Sequence, residues 1–148
     1  MRIALVSLDQ IWRDKEANIG RCKEFVISAV EASCSTIIFP EMNLTGYSLE
    51  AQEICESTDD SITLRWFSDL ARRSRINIVF GAVLSNQESS MPSNALCLAI
   101  SDGQTRVIYK KIHPFSYVQE NEHYMAGAEL NLMKIDDIRM APAICYDL

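Results

Sequence analysis

No run of lysine or arginine occurs anywhere in the chain, and acidic residues outnumber basic ones 20 to 14, for a net charge of −6 at pH 7 and a pI near 4.9. Nucleic-acid binding draws most of its affinity from clustered cations on phosphate, so no nucleic-acid partner is expected. Long apolar runs are missing as well. The opening ten residues are too short an apolar stretch for a secretory signal, and nothing later approaches the roughly 20 apolar residues that span a bilayer. A cytoplasmic protein with no membrane partner is the expectation. The five cysteines, at 22, 34, 55, 97 and 145, are odd in number and show neither CxxC spacing nor a neighbouring histidine cluster, which argues against a disulfide framework and against a zinc site. No glycine-rich phosphate loop follows the first apolar run, so a flavodoxin-like nucleotide or flavin binder is set aside. No metal and no cofactor are expected. Internal repeats, linkers and low-complexity stretches are absent too.

What remains is an ordinary globular composition: 148 residues, 48% hydrophobic and 23% charged, enough for one core and one domain. Residues 2–7 read as a short buried strand, and after a turn-like stretch over 9–14 the apolar residues Ile19, Cys22, Phe25, Val26, Ala29 and Val30 recur at helical spacing. A β-branched run, Thr36-Ile37-Ile38-Phe39, is closed by Pro40, which is disfavoured inside a central strand. Leu64, Phe67, Leu70 and Ala71 mark a second helix over 62–75, and residues 76–84 form an apolar run with Gly81 inside it. The resulting βαβαβ order implies parallel pairing in an α/β sheet. Residues 87–93 read as a polar loop. Residues 95–100 and 105–111 then flank Asp102-Gly103, a two-residue hairpin signal. Residues 113–127 show no clear period and read as loop or short helix, and a final strand pair, 130–135 and 138–146, brackets Asp136-Asp137.

Three reactive groups fall at strand ends in this reading: Glu41, Lys111 and Cys145. In open α/β sheets the carboxyl ends of the strands line the binding crevice, so groups distant in sequence converge there. A thiol attacks only as thiolate and needs a base or a positive environment; Glu41 is suited to the first and Lys111 to the second. Position alone leaves bland alternatives open. Cys145 between Ile144 and Tyr146 fits a small buried hydrophobe, Glu41 a solvated turn residue, and Lys111 beside Lys110 a surface cation. His113 and His123 offer a thiol partner on paper, although a lone histidine is more often structural. Trp66, Phe67, Tyr109, Phe115, Tyr117 and Tyr124 fit either a pocket lining or a core.

The words around the three residues are more specific. Phe39-Pro40-Glu41-Met42-Asn43-Leu44-Thr45-Gly46-Tyr47, then Tyr109-Lys110-Lys111-Ile112-His113, then Ile144-Cys145-Tyr146-Asp147-Leu148 resemble, in order, the three signature segments of the nitrilase superfamily, the carbon–nitrogen hydrolases. The segment Glu120-Asn121-Glu122-His123-Tyr124-Met125-Ala126-Gly127 resembles the family stretch with a second glutamate, which favours Glu120 over Glu122. The resemblance covers essentially the whole chain. It implies an α/β fold of the four-layered αββα sandwich type, Glu41 as general base, Lys111 as catalytic lysine, Cys145 as nucleophile and Glu120 as second glutamate. Neither histidine is the base in it. The chemistry then asks for an oxyanion held by Lys111 and the backbone N–H of Tyr146.

The words Cys-Tyr-Asp-Leu and Glu-x-Glu-His-Tyr-x-Ala-Gly look more like amidases of the ω-amidase or small-amide type than nitrilases. The expected reaction is therefore hydrolysis of a small linear carboxamide to acid and ammonia through a cysteine thioester, with a small-molecule amide as partner. An N-carbamoyl amino acid hydrolase is the near alternative. One departure stands out: the chain ends three residues past Cys145, where family members continue, so residues 1–148 read as one carbon–nitrogen hydrolase domain truncated after the nucleophile. A half sandwich leaves a sheet face and an edge uncovered, so expression alone is expected to give a poorly soluble or tightly dimeric species, consistent with a homodimer or larger homo-oligomer. A catalytically inert interaction module is the remaining alternative. An activated Cys145, reacting with iodoacetamide below the pH of an ordinary cysteine, would speak against it.

Overall fold

The structure is a computed structural model describing residues 1–85 and 90–148; the polar loop expected over 87–93 lies partly outside the described residues. The first half alternates strand and helix: β1 (Ile3–Leu5), α1 (Lys15–Glu31), β2 (Thr36–Ile38), α2 (Ala51–Ile54), β3 (Glu56–Ser57), α3 (Ile62–Ser74) and β4 (Asn77–Ser85). The second half adds β5 (Ser93–Ala99), β6 (Thr105–Lys110), α4 (Glu120–His123), β7 (Met133–Ile135) and β8 (Ile138–Met140). The main sheet runs β1-β2-β4-β5-β6, with β3 also paired to β4, and β7 and β8 form a separate hairpin. As the βαβαβ order requires, β1, β2 and β4 are parallel, whereas β5 and β6 are antiparallel additions.

The helices form where local chemistry starts and stops them. Asp14 opens α1 by accepting the Ala17 N–H at 3.0 Å, and Ser61 opens α3 by accepting the Leu64 N–H at 3.0 Å, each satisfying a donor the first turn leaves free. Arg75 closes α3 in the left-handed region at φ 53°. The central strands then sort their side chains by parity. Ile78, Phe80, Ala82 and Leu84 of β4 join Ala95, Cys97 and Ala99 of β5 in the cluster that holds Cys22, Val26, Phe67 and Ala71 from α1 and α3. Val79, Leu96, Leu98 and Tyr109 pack on the other side with Met133, Ile135 and Ile144. The result is an α/β fold: a mixed sheet with helices on one face and the β7–β8 hairpin against the other.

Several expected elements differ in detail. β1 is shorter than read and is not buried: Leu5 is 79% exposed, because β1 lies at the sheet edge and, among the described residues, pairs with β2 alone. On α1, Phe25 and Val30 are exposed. Asn18 is buried instead, its amide donating to the carbonyls of Ile11 and Leu44. The β5–β6 connection is a three-residue loop rather than a two-residue turn: the Gly103 N–H donates to Ile100 O, and Ile100 N–H to Gln104 O. Gly103 takes φ +97°, the left-handed residue that such loops need after a type I turn. The last strand pair is real but much shorter than expected, so Cys145 lies beyond it, in a 3-10 turn over Cys145–Asp147.

One close approach positions the site. β2 pairs with Asn77–Val79 and β3 with Leu84 and Ser85, both on the same edge of β4, and the chain after β2 crosses that edge between them. The Gly81 N–H donates to Asn43 Oδ1 at 2.9 Å, and a Cβ on Gly81 would sit 2.4 Å from Met42 N and 3.0 Å from the carbonyl carbon of Glu41. Gly81→Ala is expected to push the 41–43 segment off β4 and destabilise the fold by about 1–3 kcal/mol. Gly20→Ala, where a Cβ meets nothing within 4 Å on α1, should stabilise by about 0.5–1 kcal/mol. Urea denaturation of the two variants checks the opposite signs.

Candidate active site

Lys111 is the first residue beyond β6, and its backbone N–H donates to Asn94 O at 2.9 Å, so its side chain is carried on a fixed piece of backbone. That side chain is 1% exposed. Its Nζ lies 2.8 Å from Glu41 Oε1 and 2.9 and 3.1 Å from the two oxygens of Glu120. Burial alone would lower its pKa; its hydrogen bonds to Glu41 and Glu120, together with their charges, override this and raise it. The ammonium therefore stays charged.

Glu120 is fully buried at the start of α4. Its Oε2 also accepts the Phe115 N–H at 2.6 Å, and its Oε1 accepts the Asn94 amide at 3.2 Å. Glu41 follows β2 and Pro40; its Oε1 accepts the Asn94 amide at 2.5 Å in addition to Lys111. A buried carboxylate is tolerated when it is paired and hydrogen-bonded, and both are. The loop carrying Glu41 is tied to the segment carrying Glu120 by Tyr124, whose hydroxyl donates to Ser48 O and whose ring packs with Met42, Ile54 and Val83.

Cys145 lines a cavity of about 240 Å³ together with Glu41, Asn94, Phe39, Gly81 and Leu96. Its backbone is in the left-handed region, φ 49°, uncommon for a residue with a Cβ. Four donors on Asp147 hold that turn: Ile144 N–H at 3.0 Å, Tyr109 Oη at 2.8 Å, and His113 through N–H at 2.9 Å and Nδ1 at 3.0 Å. Burial opposes ionisation of Asp147, but the N–H groups of Ile144 and His113, then Tyr109 and the His113 ring, hold its pKa below the ordinary carboxylate value. The Tyr146 ring lies tilted against that of Phe115, with centroids 4.8 Å apart, and the Phe115 N–H donates to Glu120. The Cys145 turn is thereby anchored to the segment that carries Lys111 and to the loop that leads to Glu120.

The Cys145 thiol departs from expectation. Burial pushes its pKa up, Glu41 raises it further, Lys111 lowers it, Glu120 raises it, and a hydrogen bond from the Tyr146 N–H lowers it; the net direction is upward. Lys111 does not create a thiolate at rest because its charge is already met by two carboxylates.

The structure thus places Lys111 in direct contact with both Glu41 and Glu120, and Cys145 on a cavity that Glu41 also lines. His113 serves the Asp147 carboxylate, and His123 is exposed at the end of α4. Trp66 and Phe67 belong to the core, with Phe67 stacked on Phe80 at 3.9 Å. Sequence reasoning missed Asn94 and Asp147. A polar pair, Ser93-Asn94, opening an apolar strand was the available signal, since asparagine is depleted in strands. It also missed Tyr47, whose phenol is raised to about 12 by burial and by the charge of Glu120, and which feels Lys111, Glu41 and Cys145 as well. Among the described residues no group of three His, Cys, Asp or Glu is arranged to hold a metal ion, and no helix is long and apolar enough to cross a membrane.

The carbon-nitrogen hydrolase family matches this chain over residues 2–148. The chain is similar to the 2-oxoglutaramate amidase of Bacillus subtilis (strain 168), 26% identical over 146 residues, covering 99% of this chain and 56% of that protein. It is also similar to the omega-amidase YafV of Escherichia coli (strain B / BL21-DE3), 28% identical over 148 residues, covering 100% of this chain and 55% of that protein. The crystal structure of XC1258 from Xanthomonas campestris, a CN-hydrolase superfamily protein with an arsenic adduct in its active site, superposes with a TM-score of 0.89 at 28% identity, covering 99% of this chain and 54% of that one. The chain spans about half the length of the curated relatives it matches.

An anion beside a thiol disfavours the thiolate, so removing the anion must ease ionisation. In Glu41→Gln the alkylation of Cys145 by iodoacetamide, followed by peptide mass against pH, is expected to begin at lower pH than in the parent. A midpoint that moves to higher pH would show that Glu41 does not act on the sulfur as placed.

Proposed function

This chain belongs to the carbon–nitrogen hydrolase family, and on that premise we propose that it carries the catalytic residues of an amidase that releases ammonia from a small linear carboxamide. The observation that carries the reading is the buried Lys111 ammonium gripped by Glu41 and Glu120 beside a cavity that Cys145 and Glu41 both line. Carboxamides are poor electrophiles. Their cleavage needs a strong nucleophile, charge stabilisation for the tetrahedral oxyanion, and a proton for the departing amine.

Each need has a residue. Glu41 takes the thiol proton as the Cys145 sulfur bonds to the carbonyl carbon and the C=O electron pair moves onto oxygen. Lys111 has three N–H groups: one meets Glu41, and the pair of contacts to Glu120 fits one shared between two oxygens, so a third is available to the oxyanion. The Tyr146 N–H is the second donor. Collapse of the intermediate breaks the C–N bond, and Glu41 returns its proton to the leaving nitrogen, which departs as ammonia. Water then attacks the thioester, giving up a proton to Glu41, and the sulfur leaves and is reprotonated. Because the thiol pKa is raised rather than lowered, the attack draws on a base, and Glu41 is the carboxylate placed to serve. Glu120, held by Lys111, Asn94 and Phe115, orients the ammonium.

The ω-amide class of substrate is favoured by the likeness to a 2-oxoglutaramate amidase and to omega-amidases. The intact protein is therefore expected to release ammonia from 2-oxoglutaramate and to leave N-carbamoyl amino acids unchanged; the reverse preference would move the reading to the carbamoyl hydrolases. Cys145→Ala should abolish turnover at unchanged melting temperature, since the side chain has no structural partner beyond its turn. Lys111→Ala should lower turnover by a factor of about 100 or more. It should also cost roughly 3–5 kcal/mol of stability, because it strands a buried carboxylate at Glu120. Wild-type turnover in either variant would refute the assignment.

A further inference from the structure

We propose that Asn94 is a positioning residue for this reaction: its side-chain amide pins Glu41 by one carboxylate oxygen, so that the other is the oxygen that accepts the thiol proton. The inference rests on the reading of Glu41 as the base. Asn94 is the second residue of β5 and 1% exposed. Its Nδ2 lies 2.5 Å from Glu41 Oε1 and 3.2 Å from Glu120 Oε1. Both partners are carboxylates that only accept, so the NH2 face of the amide must be turned to them, and the choice between amide nitrogen and oxygen is settled by chemistry. One nitrogen with two hydrogens serves two acceptors.

The distribution of contacts on Glu41 is the telling part. Asn94 Nδ2 and Lys111 Nζ both bond Oε1, and among the described residues no hydrogen bond falls on Oε2. A carboxylate clamped through one oxygen cannot spin, and its second oxygen keeps one direction. Glu41, Asn94 and Cys145 line the same cavity. The clamp must also be neutral. A second cation would bind the base too tightly to let it accept a proton, and a third carboxylate would repel the two already there. A hydroxyl has a single donor and would hold only one of the glutamates.

A purely structural asparagine would satisfy both ends of its amide. Among the described residues Asn94 Oδ1 has no hydrogen-bond partner, so within the chain only the donor end of the amide is used. Its backbone meanwhile accepts the Lys111 N–H, so one residue sets both the strand that delivers the ammonium and the rotamer of the base.

The test is steady-state ammonia release from 2-oxoglutaramate by the intact protein, scored per folded molecule, for Asn94→Leu, Asn94→Ser and Glu41→Gln. Asn94→Leu, equal in size without donors, is expected to lower kcat about 10- to 100-fold and leave KM within about twofold, because general-base efficiency is lost while binding is not. Asn94→Ser, with one donor, should recover part of that loss, and its smaller side chain keeps the test open where leucine does not fold. Wild-type kcat per folded molecule in both Asn94 variants, or a risen KM at unchanged kcat, overturns the inference while leaving the base assignment standing, provided Glu41→Gln is inactive. An active Glu41→Gln overturns the base assignment and this inference together. A crystal structure of either Asn94 variant supplies a readout independent of turnover: Glu41 should swing from its seat, and an unmoved carboxylate would refute the clamp.

Discussion

A lysine ammonium taken out of water and closed between two carboxylates is the constraint from which the rest of this molecule follows. Burying one cation and two anions is unfavourable unless every charge is met at hydrogen-bond distance. Lys111 Nζ meets Glu41 and Glu120 at 2.8 to 3.1 Å. The cluster carries more negative than positive charge, and neutral donors, the Asn94 amide and the Phe115 N–H, absorb the surplus. The polar contacts lock four stretches of chain that apolar packing alone would leave free to slide, since a hydrophobic contact is indifferent to small shifts and a charged hydrogen bond is not.

The sheet topology explains how these stretches come to one place. β2 and β4 are parallel, β5 runs against β4, and β6 runs against β5, so β6 points the same way as β2. The carboxyl ends of β2 and β6, bearing Glu41 and Lys111, therefore share one edge of the sheet with the amino end of β5, bearing Asn94. Gly81 lets the Glu41 loop lie against β4 at this edge, and Tyr124 fastens the same loop to the helix that begins with Glu120.

Much of this was legible in the sequence, and the remainder was hidden for identifiable reasons. The strand-helix alternation, the parallel pairing and the ends that carry Glu41 and Lys111 follow from apolar periodicity and from Pro40. Asn94 escaped because the rule that binding residues gather at carboxyl ends of strands holds for parallel strands, whereas an antiparallel strand brings its amino end to the same edge. Asp147 escaped because its four donors come from two segments, and no local pattern announces a contact of that range. The exposed Phe25 and the buried Asn18 on α1 show the limit of periodicity. It finds the apolar stripe, but whether a position at its border is covered depends on the neighbouring loop, here the carbonyls of Ile11 and Leu44.

The thiol is where sequence reasoning and electrostatics part most sharply. A cysteine near a lysine invites the inference of a standing thiolate, yet a cation already matched by two anions presents little net field to a third group. The upward direction of the Cys145 pKa is the consequence. A protonated thiol neither attacks nor oxidises readily. Its reactivity is then conditional. In the proposed reaction it rises as a carbonyl oxygen draws on the Lys111 ammonium and the Glu41 carboxylate takes the proton. In that proposal the carboxylate that raises the thiol pKa is also the group that takes its proton, and the dual part requires Glu41 to be held in one orientation throughout.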